Sequence, residues 1–199
     1  MSAVMTPSYA DCCLLDECFA AWALPCLQTI FFCGEPLRGS TVRRLWQRFP
    51  GLRIINAYGP TEATCAISSA EITPDLAAQE VLPIGRESGE AVDITLSAEN
   101  RICLQGTSVA AGYLNGACFE GRFLTGDLGH FEKEYLWYDG RCDDQIKYKG
   151  YRIEPVEIEA ALTAQPNVQQ AVVLPRYDRL GRVVALRALV TTDGTRPHL

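Results

Sequence analysis

The segment Asn56-Ala57-Tyr58-Gly59-Pro60-Thr61-Glu62-Ala63-Thr64 carries the densest chemistry in the sequence. A strand that ends in a Gly-Pro turn and runs straight into a hydroxyl and a carboxylate can aim three kinds of group at one ligand. Tyr58 supplies an aromatic face for a planar base, Thr61 a donor for a phosphate oxygen, and Glu62 a hard oxygen for Mg2+. Turn chemistry alone would make the same residues a surface β-turn with a solvated carboxylate. Three further segments bear on the choice. Phe32-Cys33-Gly34-Glu35 puts a glycine at a strand end, where a planar ring can approach the backbone. Leu124-Thr125-Gly126-Asp127-Leu128 puts a carboxylate in a turn, where it can accept two hydrogen bonds from a vicinal diol. Gly140-Arg141-Cys142-Asp143-Asp144-Gln145-Ile146-Lys147 offers an arginine to bridge sugar and phosphate and an aspartate to pivot between two units. Each of these three, taken singly, reads more simply as a solvated loop.

The elements that must hold these segments can be read from periodicity. Leu27 to Cys33 is an apolar run stopped by Gly34, the pattern of a buried strand. Ser40 is placed to cap a helix in which Val42, Leu45, Trp46 and Phe49 fall at i, i+3, i+4 and i+7. Pro50-Gly51 ends it, and Leu52 to Ala57 resumes as strand, so strand, helix and strand form the βαβ unit of a parallel sheet with ligand loops at the carboxyl ends. From about residue 81 short strands and turns take over. Residues 93–97 and 101–106 flank Ala98-Glu99-Asn100 as a hairpin, and Glu134 to Tyr138 is a strand closed by Asp139-Gly140. After Arg141 the pattern restarts. Lys149-Gly150 is a tight turn between Gln145–Tyr148 and Tyr151–Ile153, Pro155 opens a helix to about Ala164, and Val168–Leu174 and Val183–Val190 are strands before an aperiodic tail. The fold class is therefore α/β: a partial parallel-sheet lobe, a small antiparallel β-barrel-like part, and a small mobile α+β lobe at the C-terminal end. The expected division is 1–142, with its βαβ portion to about 80 and its β-rich portion over about 81–142, and 143–199.

Composition narrows the function classes. The 199 residues carry a net charge of −6, which gives no basic surface to follow a nucleic-acid backbone. No run reaches the roughly 20 apolar residues of a membrane span. The first residues have no basic stretch ahead of their apolar ones, so a signal peptide is not expected. Nine cysteines form no C-x-x-C pair, and only His130 and His198 could add imidazole ligands, which argues against a structural metal. An odd count without a secretion signal points to thiols in the cytoplasm.

Together and in this order, NAYGPTEAT, LTGDL and GRCDDQIKYKGYRIEPVEIE resemble the adenylate-forming superfamily, over roughly residues 6 to 190. TPSYADCCLLD, FFCGEPL, SVAAGYL and DDQIKYKGYRIE look most like its D-alanine–D-alanyl-carrier-protein ligase branch. The resemblance implies an ATP- and Mg2+-dependent ligase. Such an enzyme activates a small amino acid, D-alanine above all, as an aminoacyl-adenylate. It then passes the acyl group to the phosphopantetheine thiol of a carrier protein. By the same resemblance Gly34, Glu35, Asn56, Ala57 and Tyr58 line the adenine slot, Thr61 holds the α-phosphate, and Glu62 binds Mg2+. Asp127 takes the ribose hydroxyls, Arg141 assists at ribose or phosphate, Asp143 is the hinge, and Gly150 lies on the lobe face used in the second step. Cys33 and Cys65 border the amino-acid pocket; buried strand residues without a ligand role are the simpler alternative for both.

The sequence also departs from that pattern. The family's Ser/Thr/Gly-rich phosphate loop and the Asp that pairs with the substrate's amino group belong upstream, and its Asn-Gly-Lys segment downstream. The expectation is a C-terminal portion of a ligase, with a truncated inactive remnant or one half of a split peptide-synthetase-like adenylation domain as the alternative. In either case apolar sheet faces are expected to stand open.

Overall fold

The structure is a computed structural model, and it describes residues 1–87, 92–114, 116, 118–179, 181–192 and 194. The chain divides into Met1–Cys142 and Asp143–Leu199. The first unit begins with strand β1 (Ser2–Met5), helix α1 (Pro7–Cys13), strand β2 (Thr29–Phe32), helix α2 (Gly39–Arg48) and strand β3 (Arg53–Tyr58). Strands β1, β2 and β3 are parallel neighbours. The sheet is completed by β4 (Ser68–Glu71) and β5 (Arg86–Glu87), both antiparallel, in the order β1-β2-β3-β4-β5. A one-turn 3-10 helix, η1 (Thr61–Ala63), lies between β3 and β4, and helix α3 (Pro74–Ala77) between β4 and β5.

Alternation along the strands decides what is buried. Ile30, Phe32 and Ile54 point into a core filled by Ala10 of α1 and Leu14 just after it, and by Val42 and Leu45 of α2 and Phe49 just after it. Trp46 packs at its margin and donates its indole N–H to the Leu52 carbonyl at 2.8 Å, which fixes the exit of α2 into β3. On the opposite face Val4, Phe31 and Ile55 stand side by side across three strands, Val4 78% and Phe31 36% exposed. Within β2 only Phe31 is exposed, Thr29 on the same face being 8% exposed, and β1 is an edge of the sheet.

One local expectation is corrected. Ser40 does not cap α2: the cap position is Arg38, and Ser40 lies inside the first turn, where its hydroxyl donates to Glu80 Oε2 at 2.8 Å. The helix begins two residues earlier than that cap implies because Gly39 is pressed against the end of α3. Its N–H donates to the Glu80 carbonyl, and a Cβ there would lie 1.8 Å from the Gln79 carbonyl oxygen.

Strands β6 (Val92–Leu96), β7 (Arg101–Gly106), β8 (Arg122–Glu132) and β9 (Tyr135–Arg141) form an antiparallel meander in sequence order. The hairpin read from residues 93–106 is present, with Asn100 supplying the left-handed turn residue. Leu136 of β9 exchanges backbone hydrogen bonds with residues 84 and 85, joining the meander to the first sheet. A second core of Tyr58, Ala63, Ile67, Ile84, Val92, Ile94, Ile102, Leu104 and Leu136 seals that junction.

The second unit holds β10 (Ile146–Tyr148), β11 (Tyr151–Ile153), helix α4 (Pro155–Thr163), β12 (Val168–Tyr177) and β13 (Val183–Thr192). Lys149 and Gly150 both take left-handed backbone (φ 51° and 82°), as a two-residue hairpin turn requires. Strand β12 runs three residues beyond the sequence reading, through Pro175, because both strands of a two-stranded sheet are edges and a missing N–H costs no ladder bond there. In the described part of this unit Glu159 of α4 accepts the Val173 N–H at 2.8 Å, tying helix to strand. Residues 195–199 of the tail lie outside the described residues.

The contact at Gly39 is with backbone, so no rotamer change relieves a side chain placed there. Gly39→Ala is expected to destabilise the chain by about 1–3 kcal/mol, the range for overpacking a close-packed contact. A urea melt of the variant beside the parent checks it.

Candidate functional site

Two of the segments read as turns are bulges inside strands, and the difference builds the site. In β8, Leu124 pairs with Cys103 and Leu128 with Arg101, so Thr125, Gly126 and Asp127 face Ile102 alone. The extra residues are held by the buried Thr125 hydroxyl, which donates to the Ile102 carbonyl at 2.8 Å and accepts the Asp127 N–H at 3.1 Å. Arg101 clamps the Thr125 carbonyl with two N–H donors. Asp127 is therefore a strand residue re-aimed by a bulge, not a turn residue. Likewise β9 does not close at Asp139-Gly140. Gly140 (φ 117°) pairs with Leu128 and Tyr138 with Gly129, leaving Asp139 as the extra residue, and the strand continues to Arg141 directly opposite Asp127.

That register places two side chains on one carboxylate. Asp127, 3% exposed, receives the Tyr58 hydroxyl on Oδ2 at 2.7 Å and the Arg141 guanidinium on Oδ1 at 2.7 Å. The ion pair is nearly enclosed, its side chains 4% and 12% exposed. Burial, with the Asp127 charge beside it, pushes the Tyr58 phenol far above its usual range. Tyr58 itself is part of the second core and is 7% exposed.

The motif Gly59–Ala66 is the hairpin loop between β3 and β4, closed by the Ile67 N–H on the Tyr58 carbonyl at 2.8 Å. Thr64, Cys65 and Ala66 take φ of 69°, 48° and 91°, three successive non-glycine residues in left-handed backbone. Backbone in such regions costs roughly 1–3 kcal/mol per residue and persists where surrounding contacts impose it. Here Gly59 permits the fold-back, since a Cβ on it would lie 2.4 Å from the Ala66 nitrogen. The result exposes Thr61 at the start of η1 and buries Glu62 behind it.

Glu62 introduces residues the sequence reading did not single out. Its Oε1 accepts the Tyr113 hydroxyl at 2.5 Å, and its carbonyl accepts the Ala110 N–H at 2.8 Å. The Thr64 hydroxyl donates to the Ser108 carbonyl at 2.9 Å, so residues 108–113 lace along the motif. Tyr113 is steadied edge-on by Phe119, 5.0 Å between centroids. The sequence signal for this segment was present in the Gly112-Tyr113 pair, which served only as family likeness.

The other expected positions fall as follows. Cys33 leaves the end of β2, and its Sγ lies 3.6 Å from Cys65 Sγ. Gly34 is left-handed (φ 90°) and exposed. Glu35 accepts the Ser8 N–H at 2.9 Å, so its carboxylate is engaged at the start of α1. Asn56 is buried and donates its amide to the Pro83 carbonyl at 2.8 Å, while Ala57 beside it is 9% exposed. Asp143 and Gly150 belong to the second unit; the Asp143 carboxylate accepts the Gln145 N–H at 3.3 Å and shapes the loop before β10. Among the described residues no group of three or more His, Cys, Asp or Glu gathers as a ready-made metal site, and no helix is long and apolar enough to cross a membrane.

This architecture is that of adenylation domains. The chain superposes on an NRPS protein containing adenylation and PCP domains with a TM-score of 0.78 and 28% identity, over 97% of this chain and 43% of that one. It also superposes on the Vibrio cholerae adenylation domain AlmE, solved with glycyl-adenosine-5'-phosphate, with a TM-score of 0.80 and 25% identity, over 95% and 40%. The family model for the AMP-binding enzymes matches residues 3–114, and the chain belongs to that family. It is 42% identical to the D-alanine--D-alanyl carrier protein ligase of Streptococcus equi subsp. equi (strain 4047) over 96% of its length, and 38% identical to that of Streptococcus pyogenes serotype M3 (strain SSI-1). The chain spans about 42% of the length of these curated relatives.

Removing one partner of a buried ion pair leaves an uncompensated charge, a loss of about 3–5 kcal/mol. Arg141→Met is expected to lose that much in a urea melt, and the double variant with Asp127→Asn to regain a substantial part of it. Tyr58 gives a separate expectation. The folded state holds the phenol proton more tightly than the unfolded chain, so its stabilisation is complete below the ordinary phenol pKa of about 10 and falls as pH rises past it. The drop in melting temperature between about pH 9 and 11 should be shallower in Tyr58→Phe than in the parent.

Proposed function

We propose that the protein is an ATP-dependent ligase that activates a small amino acid, D-alanine, as its adenylate and transfers it to the phosphopantetheine thiol of a carrier protein. The observation that carries this reading is the buried Tyr58–Asp127–Arg141 linkage set beside the strained loop bearing Thr61 and Glu62. The names of the relatives supply the amino acid and the carrier protein. Asp127, its two oxygens each holding one donor, keeps lone pairs for a ribose diol, and Arg141 lies beside it for ribose or phosphate. Gly34, Ala57 and Tyr58 bound the adenine slot, with Glu35 and Asn56 contributing backbone because their side chains are engaged elsewhere.

Thr61 donates to the α-phosphate. Glu62 is the carboxylate for Mg2+, which fits a cation that takes one or two protein carboxylates and completes its shell with phosphate oxygens and water. The cation would neutralise charge on the phosphates. Tyr113 fixes the Glu62 carboxylate that receives it. Cys33 and Cys65 border the amino-acid pocket, Asp143 is the hinge, and Gly150 lies on the face used for thiol transfer. Positioning and charge neutralisation, with no protein nucleophile, supply the rate enhancement. The nine cysteines stand as thiols, which suits a cytoplasmic enzyme.

A second reading is favoured by one observation, the 42% of the relatives' length that the chain spans. Under it these residues by themselves bind the adenosine moiety without completing activation. Calorimetric titrations of the chain separate the outcomes. AMP is expected to bind, and Mg2+ to raise ATP affinity in the parent but not in Glu62→Gln, which keeps the shape and the Tyr113 contact. Absence of AMP binding by a folded chain overturns the adenylation reading. Alanine-dependent ATP–pyrophosphate exchange by the chain alone overturns the second.

A further inference from the structure

The thiols of Cys33 and Cys65 come from segments 32 residues apart in sequence and lie 3.6 Å apart, sulfur to sulfur. Cys33 is half-buried at the end of β2, and Cys65 is exposed in the β3–β4 loop. No third His, Cys, Asp or Glu gathers with them among the described residues, so the pair lacks the ligand set of a thiolate metal site. A disulfide requires the sulfurs at about 2.05 Å, an approach of about 1.5 Å from their present separation. Cys65 sits in an exposed loop with its N–H on the Pro60 carbonyl at 3.2 Å, and that loop has to supply the movement.

The geometry points to a reversible modification site: Cys33 and Cys65 form a dithiol that a hydroperoxide oxidises to an intramolecular disulfide. The exposed Cys65 sulfur attacks one peroxide oxygen, the O–O bond breaks, and the leaving oxyanion takes up a proton. The Cys65 sulfenic acid formed is then attacked by the Cys33 thiolate; the S–S bond forms, the S–O bond breaks, and hydroxide leaves as water. For hydrogen peroxide the balance is two thiols and one peroxide to one disulfide and two waters, both sulfurs oxidised and both peroxide oxygens reduced. A small thiol reductant reverses it. On the reading that these residues border the amino-acid pocket, the bond would span that pocket's wall; the modification itself does not depend on that reading.

The test oxidises the folded chain with hydrogen peroxide, blocks remaining thiols with N-ethylmaleimide, and maps the products by mass spectrometry. Chymotrypsin cuts after Phe32 and so frees Cys33 from the four cysteines that precede it. The expected product is a peptide joining Cys33 to Cys65, two of the nine thiols protected from alkylation, and full recovery of both with dithiothreitol. Oxidation in urea should lower the yield of that linkage roughly ten-fold, since the fold supplies the proximity. Cys65→Ser, a change at an exposed position, should abolish it while leaving the melt unchanged. Sulfinic acid at Cys65 without linkage, or equal pairing of Cys65 with other cysteines in the folded chain, overturns the proposal.

Discussion

A single buried carboxylate organises the first unit. Asp127 is 3% exposed, and a charge so placed is tolerable only with donors on it. Two come from different parts of the chain: Tyr58 from the end of the parallel portion of the first sheet, Arg141 from the last strand of the meander. The carboxylate therefore ties both sheets together at the point where the candidate site lies. The bulge at Thr125–Asp127 and the bulge at Asp139 are the devices that make the meeting possible, because regular pairing would carry these side chains along in a different register.

The loop after Tyr58 depends on that anchor. Its left-handed run at Thr64, Cys65 and Ala66 is unfavourable in itself, and it is held by the Tyr58–Ile67 backbone pair, the close approach at Gly59 and the lacing from Ser108 and Ala110. Stored strain of this kind belongs to positions where a chain must present side chains in a fixed arrangement. It brings Thr61 to the surface, Glu62 against Tyr113, and Cys65 against Cys33. The hydroxyl, the carboxylate and the thiol are thus products of one loop conformation.

The open apolar row of Val4, Phe31 and Ile55 has a different origin. Parallel sheets ordinarily bury both faces, and the run Leu27–Cys33 has the composition of such a strand. In this chain α1 and α2 cover one face, and the other leaves Val4 and Phe31 to solvent. The composition of a strand thus reports the environment its sequence suits, while the burial reports what this chain supplies.

The sequence by itself determined the βαβ unit, the hairpins at 93–106 and 146–153, the helix after Pro155, and the order of the motifs, because periodicity, turn residues and a proline at a first helical turn act over a few neighbours. It also determined family membership, since the long motifs are specific. It misread Gly126-Asp127 and Asp139-Gly140 as turns. A glycine beside an aspartate marks a chain reversal and a bulge alike, and only pairing with Ile102 and with Leu128–Gly129 distinguishes them. Ser40 was displaced from its cap by a contact with residues about 40 positions away, a distance at which local propensity carries no information. The Tyr58–Asp127–Arg141 linkage, the Tyr113–Glu62 bond and the Cys33–Cys65 contact were decided by the tertiary structure alone, because each joins residues whose nearness exists only once both sheets have formed.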